Sequence, residues 1–364
     1  MSHEPDLLYS DTEDALRDAV RSLLTDRAGH QAVLDRIEMA DPYPTGLWPA
    51  LASGIGAAGL LVPEKLGGQG ASHREAAVVL EELGRAVAPA PYLTGAVVAT
   101  ETLLALAATD GPAATLLAEL AAGERTAVLA VPFTTAPDAA DAAFEATGPV
   151  RAVADAVAAD VLLVPRPDGL YAVPAAEATV TPLTPLDLTR PLAVVDTSAA
   201  PGTLLAEAGE ARAAVRRGLL AGAGLLASEQ LGLAEWCLEE TVRHTRERFQ
   251  FNRPVGSFQA LKHRMAHLWL DLVGARAVAR AAADALATGA ADTELTVAVA
   301  QAYCSGVAVR AAEECVQLHG GIGMTWEHPA HLALKRAKAD QLALGSTGRH
   351  QDVIAALTDL PAPA

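Results

Sequence analysis

The chain of 364 residues contains few cysteines and few aromatic residues. Its three cysteines, Cys237, Cys304 and Cys315, lie in helical patterns and lack the spacing of metal ligands. We therefore expect buried, reduced thiols and no bound metal, as is usual in the cytoplasm. Aromatic residues make up 4% of the chain although 51% of it is hydrophobic, which favours helices rich in alanine, leucine and valine over a β-sandwich.

Positive charge is also scarce, because 27 basic residues accompany 44 acidic ones and leave a net charge of −17. Nucleic acids and anionic membranes are polyanions, so this balance argues against either as the main partner. No signal segment opens the chain, and no uncharged apolar run reaches membrane-spanning length. The sequence therefore predicts a cytoplasmic protein in which an anionic ligand is bound by a local cluster of arginines.

The first of three regions, residues 1–124, has a helical pattern. An acidic cluster at Asp11 opens an amphipathic stretch through Val20 and Leu24, as is typical of a helix N-terminus. A glycine-rich break follows at residues 54–70, after which the helical period resumes. We expect an N-terminal helical domain here.

Residues 125–205 form the second region and change character. Short runs rich in valine and alanine are separated by proline, aspartate and glycine, which predicts a small β-domain. The predicted strands are residues 127–131, 161–164, 171–173 and 192–195.

The third region, residues 206–364, is helical again. One predicted helix begins at a Ser257 N-cap, and two more run from about 292 to 318 and from about 329 to 344. Four long antiparallel helices would form a bundle. The chain as a whole is therefore predicted to be mainly α with a small central β-domain.

Two motifs stand out in the third region. The first, RFQFNRPVGSFQ, covers residues 248–259, and the second, QLHGGIGMTWEHP, covers residues 317–329 and ends a long apolar helix on paired glycines. Together they resemble the C-terminal half of acyl-CoA dehydrogenases, the FAD enzymes that desaturate acyl-CoA thioesters. The segments GLLVPEKLGGQGAS and VVLEELGRAVAPAP of the first region resemble the N-terminal domain of the same family.

The resemblance implies an acyl-CoA dehydrogenase fold, an FAD cofactor, an acyl-CoA substrate and an electron-transferring flavoprotein as electron acceptor. It also implies that Arg248 crosses a dimer interface to the FAD pyrophosphate of the neighbouring subunit, because a guanidinium fork pairs with phosphate oxygens. Taken alone, an arginine at a helix end is a solvated charge that complements the helix dipole. Asn252 stands where the family has glycine, and asparagine tolerates the same left-handed backbone.

The same resemblance places further residues of the two motifs close to the partner's FAD, namely Phe251, Gln259, Gln317, Gly320 and Gly321. The alternatives are a packed aromatic ring for Phe251 and a surface amide for Gln259. For the two glycines the alternative is an ordinary helix C-cap, and a C-cap can serve both purposes at once.

The catalytic base of the family is missing. Leu344 occupies the usual glutamate position, and the second position known in relatives falls at residues 222–224, again without a carboxylate. Glu229, Glu235 and Asp340 lie within a few turns of these positions, and we interpret each as a solvated helix charge. No catalytic residue is therefore predicted. Three histidines without a second ligand or base at helical spacing are interpreted as surface or packing residues: His319, His331 and His350.

The middle region also lacks the Thr-Glu-Pro segment ending in Gly-Ser-Asp that meets the flavin ring in the family. A chain that keeps the residues reaching a partner's FAD, but lacks the base and the ring segment, resembles the non-catalytic subunit of heteromeric bacterial acyl-CoA dehydrogenases of steroid breakdown. The resemblance implies a heterotetramer with a paralogous catalytic subunit. The alternatives are a homomeric flavoenzyme with a relocated base or altered chemistry, and a non-enzymatic scaffold that retains the fold.

Overall fold

The N-terminal domain is helical, as predicted. The structure is a computed structural model that describes residues 4–39, 41–106 and 111–360. The first helix begins where the acidic cluster indicated, because the Ser10 and Glu13 side chains each accept a hydrogen bond from the other's backbone N–H in a capping box. The domain contains α1 (Asp11–Arg27), α2 (His30–Leu34), α3 (Leu47–Pro49), α4 (His73–Ala86), α5 (Thr100–Leu104) and α6 (Pro112–Ala121).

The middle domain contains two small sheets with the strand orders β1-β3-β4-β7 and β2-β6-β5. The four predicted strands are present as β1 (Ala127–Leu129), β3 (Val161–Arg166), β4 (Gly169–Pro174) and β6 (Leu192–Asp196). Three strands were missed because most of their residues are partly or fully exposed and carry no apolar run: β2 (Val150–Ala154), β5 (Thr179–Leu183) and β7 (Thr203–Glu207). Apolar residues of both sheets form a second, smaller core.

The C-terminal domain is built on three long helices and two short ones: α7 (Ala208–Glu247), α8 (Gln259–Thr288), α9 (Thr293–His319), α10 (Ala330–Asp340) and α11 (Thr347–Leu357). A hairpin, β8 (Phe249–Gln250) and β9 (Arg253–Pro254), connects α7 to α8. The observed architecture confirms a mainly α chain with a small central β-domain.

Two predicted helix ends are wrong. Ser257 does not cap α8, because it lies in a 3₁₀ turn and Phe258 is the residue before the first helical position. The last predicted helix stops at Asp340 rather than at Leu344, because Leu344 and Gly345 take φ angles of +52° and +108° that no α-helix contains. The chain turns there and continues as α11.

Close contact between α4 and α7 joins the N-terminal and C-terminal domains. A Cβ atom on Gly84 would overlap the backbone carbonyl of Glu229, and one on Gly232 would overlap that of Glu81. The absence of these side chains lets the two backbones touch. The crossing places Glu229 inside the protein, where only 1% of it is exposed.

One apolar helix, from Thr293 through the turn to Met324, is long and apolar enough to cross a bilayer by length and composition alone. Every 18-residue stretch of this helix contains Arg310, so the helix is not the uncharged run that the sequence analysis excluded. The apolar window of this helix is 61% buried inside the helical domain, as expected for the core helix of a bundle.

Candidate functional site

Arg248 stands at the end of α7, where its backbone N–H donates to the His244 carbonyl at 2.9 Å. Its side chain is exposed, and no residue in the described part of the chain forms an ion pair or a side-chain hydrogen bond with it. This free guanidinium contrasts with the many arginines that pair with carboxylates elsewhere in the structure. The fork is available to an anionic ligand from outside the chain.

The hairpin after Arg248 carries an exposed aromatic ring. Phe251 is 86% exposed, and its ring meets that of Phe258 edge to face with 6.0 Å between the centroids. The alternative of a packed aromatic ring is therefore wrong for Phe251. Asn252 has a φ of +59°, which confirms the left-handed backbone predicted where the family has glycine. Gln259, the first residue of α8, is exposed as well.

The paired glycines form an open turn at the end of α9. Gly320 has a φ of +64° and a ψ of −139°, a conformation that side chains disfavour, whereas Gly321 has no positive φ. Cβ atoms built on Gly320 and Gly321 would meet nothing within 4 Å. Gln317, one turn earlier on α9, is exposed. A flat or anionic group can therefore approach the backbone of this turn closely.

A stack of three imidazoles connects the two motifs. The ring of His319 lies between those of His244 and His328, with centroid distances of 4.3 Å and 4.4 Å. His244 precedes Arg248 by one turn, and His319 directly precedes Gly320. The stack therefore holds the ends of α7 and α9 side by side, and the residues predicted to reach FAD extend from both ends.

His319, interpreted as a surface or packing residue, is buried and packs between two rings, and it also faces a carboxylate from another element. Its Nε2 lies 3.7 Å from Oε1 of Glu240 on α7, and Nε2 of His328 lies 3.8 Å from the same oxygen. Helical spacing within α9 gives no signal for either contact. The other two histidines do pack, His331 against the Trp326 ring and His350 against the Leu344 carbonyl.

The three donor atoms of Glu240, His319 and His328 lie within 4.8 Å of one another. Two hydrogen bonds show that this arrangement suits protons better than a metal ion. His328 Nδ1 accepts from the Ala330 N–H at 3.2 Å, so its Nε2 carries a proton instead of a free lone pair. Arg243 Nε also donates to Glu240 at 2.8 Å and adds a positive charge beside the carboxylate.

Leu344 fills the position of the missing base. It is buried, and its N–H donates to the carbonyl of Phe133 in the middle domain at 2.8 Å. A Cβ built on Gly222 would lie 3.1 Å from Leu344 Cδ1 and 2.5 Å from Val98 Cγ2. Leu344 and the predicted second base position at residues 222–224 therefore lie against each other, and neither carries a carboxylate.

The space beside Leu344 is nearly closed. The cavity there measures about 20 Å³ and is lined by Thr94, Val98, Leu129, Val131, Pro132, Phe133, Ala154, Leu219 and Leu344. Such a volume has room for about one water molecule. No acyl thioester fits into it.

The interpretation of Glu229 and Asp340 as solvated charges is wrong, because both are buried in an ion-pair network between domains. Arg190 of the middle domain donates to both oxygens of Glu229 at 2.6 and 2.7 Å and to Oδ1 of Asp340 at 2.7 Å. Arg336 donates to Glu229 at 2.6 Å and also binds Asp187. Buried charges persist only when paired in this way.

The carboxylates of the network are buried and paired with arginines, which keeps them away from a substrate. Burial raises the pKa of Glu229, but Arg190 and Arg336 outweigh it and hold that pKa below its usual value. Burial, reinforced by the charge of Glu229, raises the pKa of Asp340 to about 8. Glu235, the third candidate, is partly buried and pairs with Arg276 instead of being freely solvated.

A groove of about 510 Å³ lies between the 3₁₀ helix Pro137–Phe144 and the turn after α10. Pro132, Thr134, Thr135 and Ala136 of the middle domain form part of its lining. Arg349, the one charged residue of the lining, is paired with Asp138. Five of the lining residues are alanines without side-chain donors: Ala136, Ala139, Ala142, Ala143 and Ala146. The polar side chains of the lining are therefore the hydroxyls of Thr134, Thr135 and Ser346 and the paired Arg349.

Comparison with known proteins agrees with the motifs. The family descriptions "Acyl-CoA dehydrogenase, N-terminal domain" and "Acyl-CoA dehydrogenase, C-terminal domain" match residues 10–124 and 212–357. The acyl-CoA dehydrogenase IpdE2 of Mycolicibacterium smegmatis is 37% identical over 338 residues, covering 92% of this chain and 95% of its own. The chain belongs to the acyl-CoA dehydrogenase family. The family matches and the identity to IpdE2 therefore confirm the family inferred from the two motifs.

Solved structures share the fold of this chain over nearly its whole length. The ChsE4–ChsE5 complex from Mycobacterium tuberculosis matches with a TM-score of 0.83 and 23% identity, covering 98% of this chain and 100% of that one. The Tcur3481–Tcur3483 steroid ACAD matches with a TM-score of 0.82 and 26% identity, covering 96% of this chain and 98% of that one.

Proposed function

We propose that this chain is the non-catalytic subunit of a heteromeric, FAD-dependent acyl-CoA dehydrogenase. In this assembly it completes the FAD site of a paralogous catalytic subunit within a heterotetramer. The complex introduces an α,β double bond into a CoA thioester and passes electrons to an electron-transferring flavoprotein in the cytoplasm. The observation that carries the proposal is the contact between Gly222 and Leu344, where both family positions of the base are apolar.

Desaturation of a thioester requires a carboxylate that removes the α-proton. When bound, FAD supplies the acceptor for the hydride that leaves the β-carbon. Leu344 cannot accept a proton, and the cavity beside it is too small for an acyl chain. Glu229 and Asp340, the nearest buried carboxylates, are held by Arg190. The base must therefore come from another subunit.

The residues of the two motifs fit the role of completing a partner's FAD site. The free guanidinium of Arg248 suits a diphosphate, and the open turn at Gly320 and Gly321 lets a dinucleotide approach the backbone. Phe251, Gln259 and Gln317 are exposed around them. These four side chains and the Gly320–Gly321 turn are all exposed, as expected for a site that lies across a subunit interface.

Apolar surface supports the presence of a partner subunit. Trp269, Leu270 and Val273 on α8 are 62%, 63% and 43% exposed, and Phe249 beside Arg248 is 59% exposed. Large exposed apolar groups on neighbouring turns mark protein interfaces. Two of the similar solved structures, ChsE4–ChsE5 and Tcur3481–Tcur3483, pair two differently named chains.

Purification tests the proposal directly. The chain is expressed alone and, in parallel, together with each paralogue encoded beside it, and flavin absorbance is compared after gel filtration. We expect a colourless protein alone and a yellow two-subunit complex with one paralogue. Yellow, active protein from the single chain would establish a homomeric enzyme instead. Colourless protein with every paralogue would support a scaffold.

A further inference from the structure

The cluster of Glu240, His244, His319 and His328 has no role in the function proposed above. It lies where α7 and α9 end and where the loop before α10 returns to the bundle. The exposed turn Gly320–Met324 connects His319 to that loop. A change in the cluster therefore acts on both motifs at once.

The hydrogen bonds of His319 define where its protons sit. Nδ1 lies 2.7 Å from the Cys315 carbonyl and must donate, because a carbonyl only accepts. Nε2 is buried without a hydrogen-bond partner among the described residues, and it faces Glu240 Oε1 at 3.7 Å. Only 5% of His319 is exposed. A second proton on Nε2 gives the buried ring a positive charge opposite a carboxylate.

We propose that doubly protonated His319 is a positioning residue that attaches the Gly320–Gly321 turn to the end of α7 and so fixes this turn relative to Arg248. The inference rests on the proposed function, because the object being positioned is the surface that meets the partner's FAD. Loss of the proton leaves Nε2 without a charge for Glu240 to attract, and the connection between the two helix ends weakens.

The other charged and titratable groups around His319 come from four elements. Glu240, Arg243 and His244 belong to α7, and the Cys315 thiol on α9 lies 3.7 Å from Nδ1. His328 stacks on the ring, and His30 on α2 interacts with both Glu240 and His328. Two groups in this set favour a charged His319: the Cys315 thiol, which has the larger effect on its pKa, and Glu240, the one carboxylate.

The pH window follows from the pKa of His319. Burial lowers this pKa, but hydrogen bonds to Cys315 and Glu240 outweigh burial and raise it to about 9, from an ordinary value of 6.5. A folded-state pKa above the unfolded one stabilises the fold fully below about pH 6.5, and this contribution is lost as the pH rises through about 9. The connection is therefore intact at neutral pH and opens in mild alkali.

The first test uses the chain alone. Histidine Cε1–H resonances are followed by NMR from neutral to alkaline pH, and His319 is assigned by its loss in His319→Gln. We expect this resonance to titrate well above the ordinary value of about 6.5. His267→Gln, which removes an exposed histidine of α8, is the control. Titration of His319 at or below the ordinary value overturns the proposal. So does a cobalt(II) absorption band that His319→Gln abolishes, because it identifies a metal site.

The second test uses the co-purified complex and measures FAD affinity against pH. Coupling between two sites is typically about 5- to 150-fold, so we expect wild-type affinity to fall at least about fivefold between neutral pH and pH 10. His319→Gln should bind FAD weakly at both values. His319→Lys should restore affinity and shift the loss to higher pH, because a lysine holds its charge to about pH 10.4. A flat wild-type profile, or a His319→Gln profile like that of wild type, overturns the inference.

Arg248→Ala separates this inference from the function on which it rests. Retention of flavin by Arg248→Ala contradicts the proposed function. Loss of flavin in Arg248→Ala, together with an unchanged pH profile in His319→Gln, contradicts only the positioning role. Unfolding temperatures of all variants, measured at neutral pH, confirm that each comparison is made between folded proteins.

Discussion

Gly222 and Leu344 face each other across a nearly closed cavity, with 3.1 Å between a Cβ built on the glycine and Cδ1 of the leucine. The resemblance to the family predicts a carboxylate either at position 344 or at about residues 222–224, which include Gly222. Here Gly222 has no side chain, and Leu344 has an apolar one that fills the space where a side chain on Gly222 would lie. Under the proposed function, the loss of the base goes together with near closure of the cavity beside Leu344.

The isolated chain should not oxidise any acyl-CoA at a measurable rate. General base catalysis contributes about 10²–10⁴-fold in rate, and no free carboxylate lies at either family position. The assay uses an artificial electron acceptor with short, long and steroid-like thioesters. Robust turnover by the single chain would contradict the proposed function. Its loss in Glu229→Ala, Glu235→Ala or Asp340→Ala would then identify the residue that acts as base.

Leu344→Glu should not restore activity and should destabilise the fold. A carboxylate at this position is buried against Phe133 without a cation, and burying an unpaired polar group costs about 2–7 kcal/mol, more if it stays ionised. Leu344→Met is the matched control, since a swap of similar volume costs less than about 1.5 kcal/mol. Urea unfolding measures the free energy of unfolding of both variants. Desaturation by Leu344→Glu alone would show that the middle domain still seats a flavin ring.

Arg248→Ala should release flavin from the complex while the subunits stay folded and associated. A hydrogen bond to a charged group contributes about 1.5–3 kcal/mol, which corresponds to about 10- to 150-fold in FAD affinity. Arg248→Lys should rescue only in part, because a point charge replaces a fork. Arg246→Ala removes an exposed arginine from the same helical turn and should keep its flavin. Equal flavin-to-protein ratios in Arg248→Ala and Arg246→Ala would make Arg248 a simple helix-end charge.

Asp340 should make the fold less stable as the pH rises. Burial raises its pKa from 3.8 to about 8, so between these values the folded protein holds a proton that the unfolded chain has released. Stability then falls with rising pH over this window. Asp340→Asn keeps the neutral form and should flatten that part of the curve, whereas the exposed Asp352→Asn should not. Urea unfolding midpoints are compared at about pH 5 and pH 8. An equal fall in the midpoint between these pH values in wild type and Asp340→Asn would refute the prediction.

The sequence predicted those features that depend on local pattern. Asp292, the residue at which the long helix was expected to begin, is the N-cap of α9, and the acidic start at Asp11 begins α1. Asn252 takes the backbone expected from its place in the motif. These elements are determined by neighbours within one or two turns, which is why a single sequence sufficed.

Features that depend on distant partners could not be predicted. Glu229 was read as solvated because its partners, Arg190 and Arg336, are 39 and 107 residues away along the chain. The contact between His319 and Glu240 joins two helices, so spacing within α9 carries no sign of it. The partly exposed strands such as β5 carry no periodic signal of their own, and their pairing with neighbours defines them.

The contact between α4 and α7 has a consequence for how the protein is made. Gly84 touches the backbone at Glu229, so the surface of α4 that this contact covers must wait for about 145 further residues to be synthesised. At about 5–20 residues per second, the newborn N-terminal domain leaves this apolar surface uncovered for roughly 7–30 s. Chaperones therefore have a defined interval in which to recognise α4, and a ribosome that stalls before α7 leaves a chain that cannot cover it.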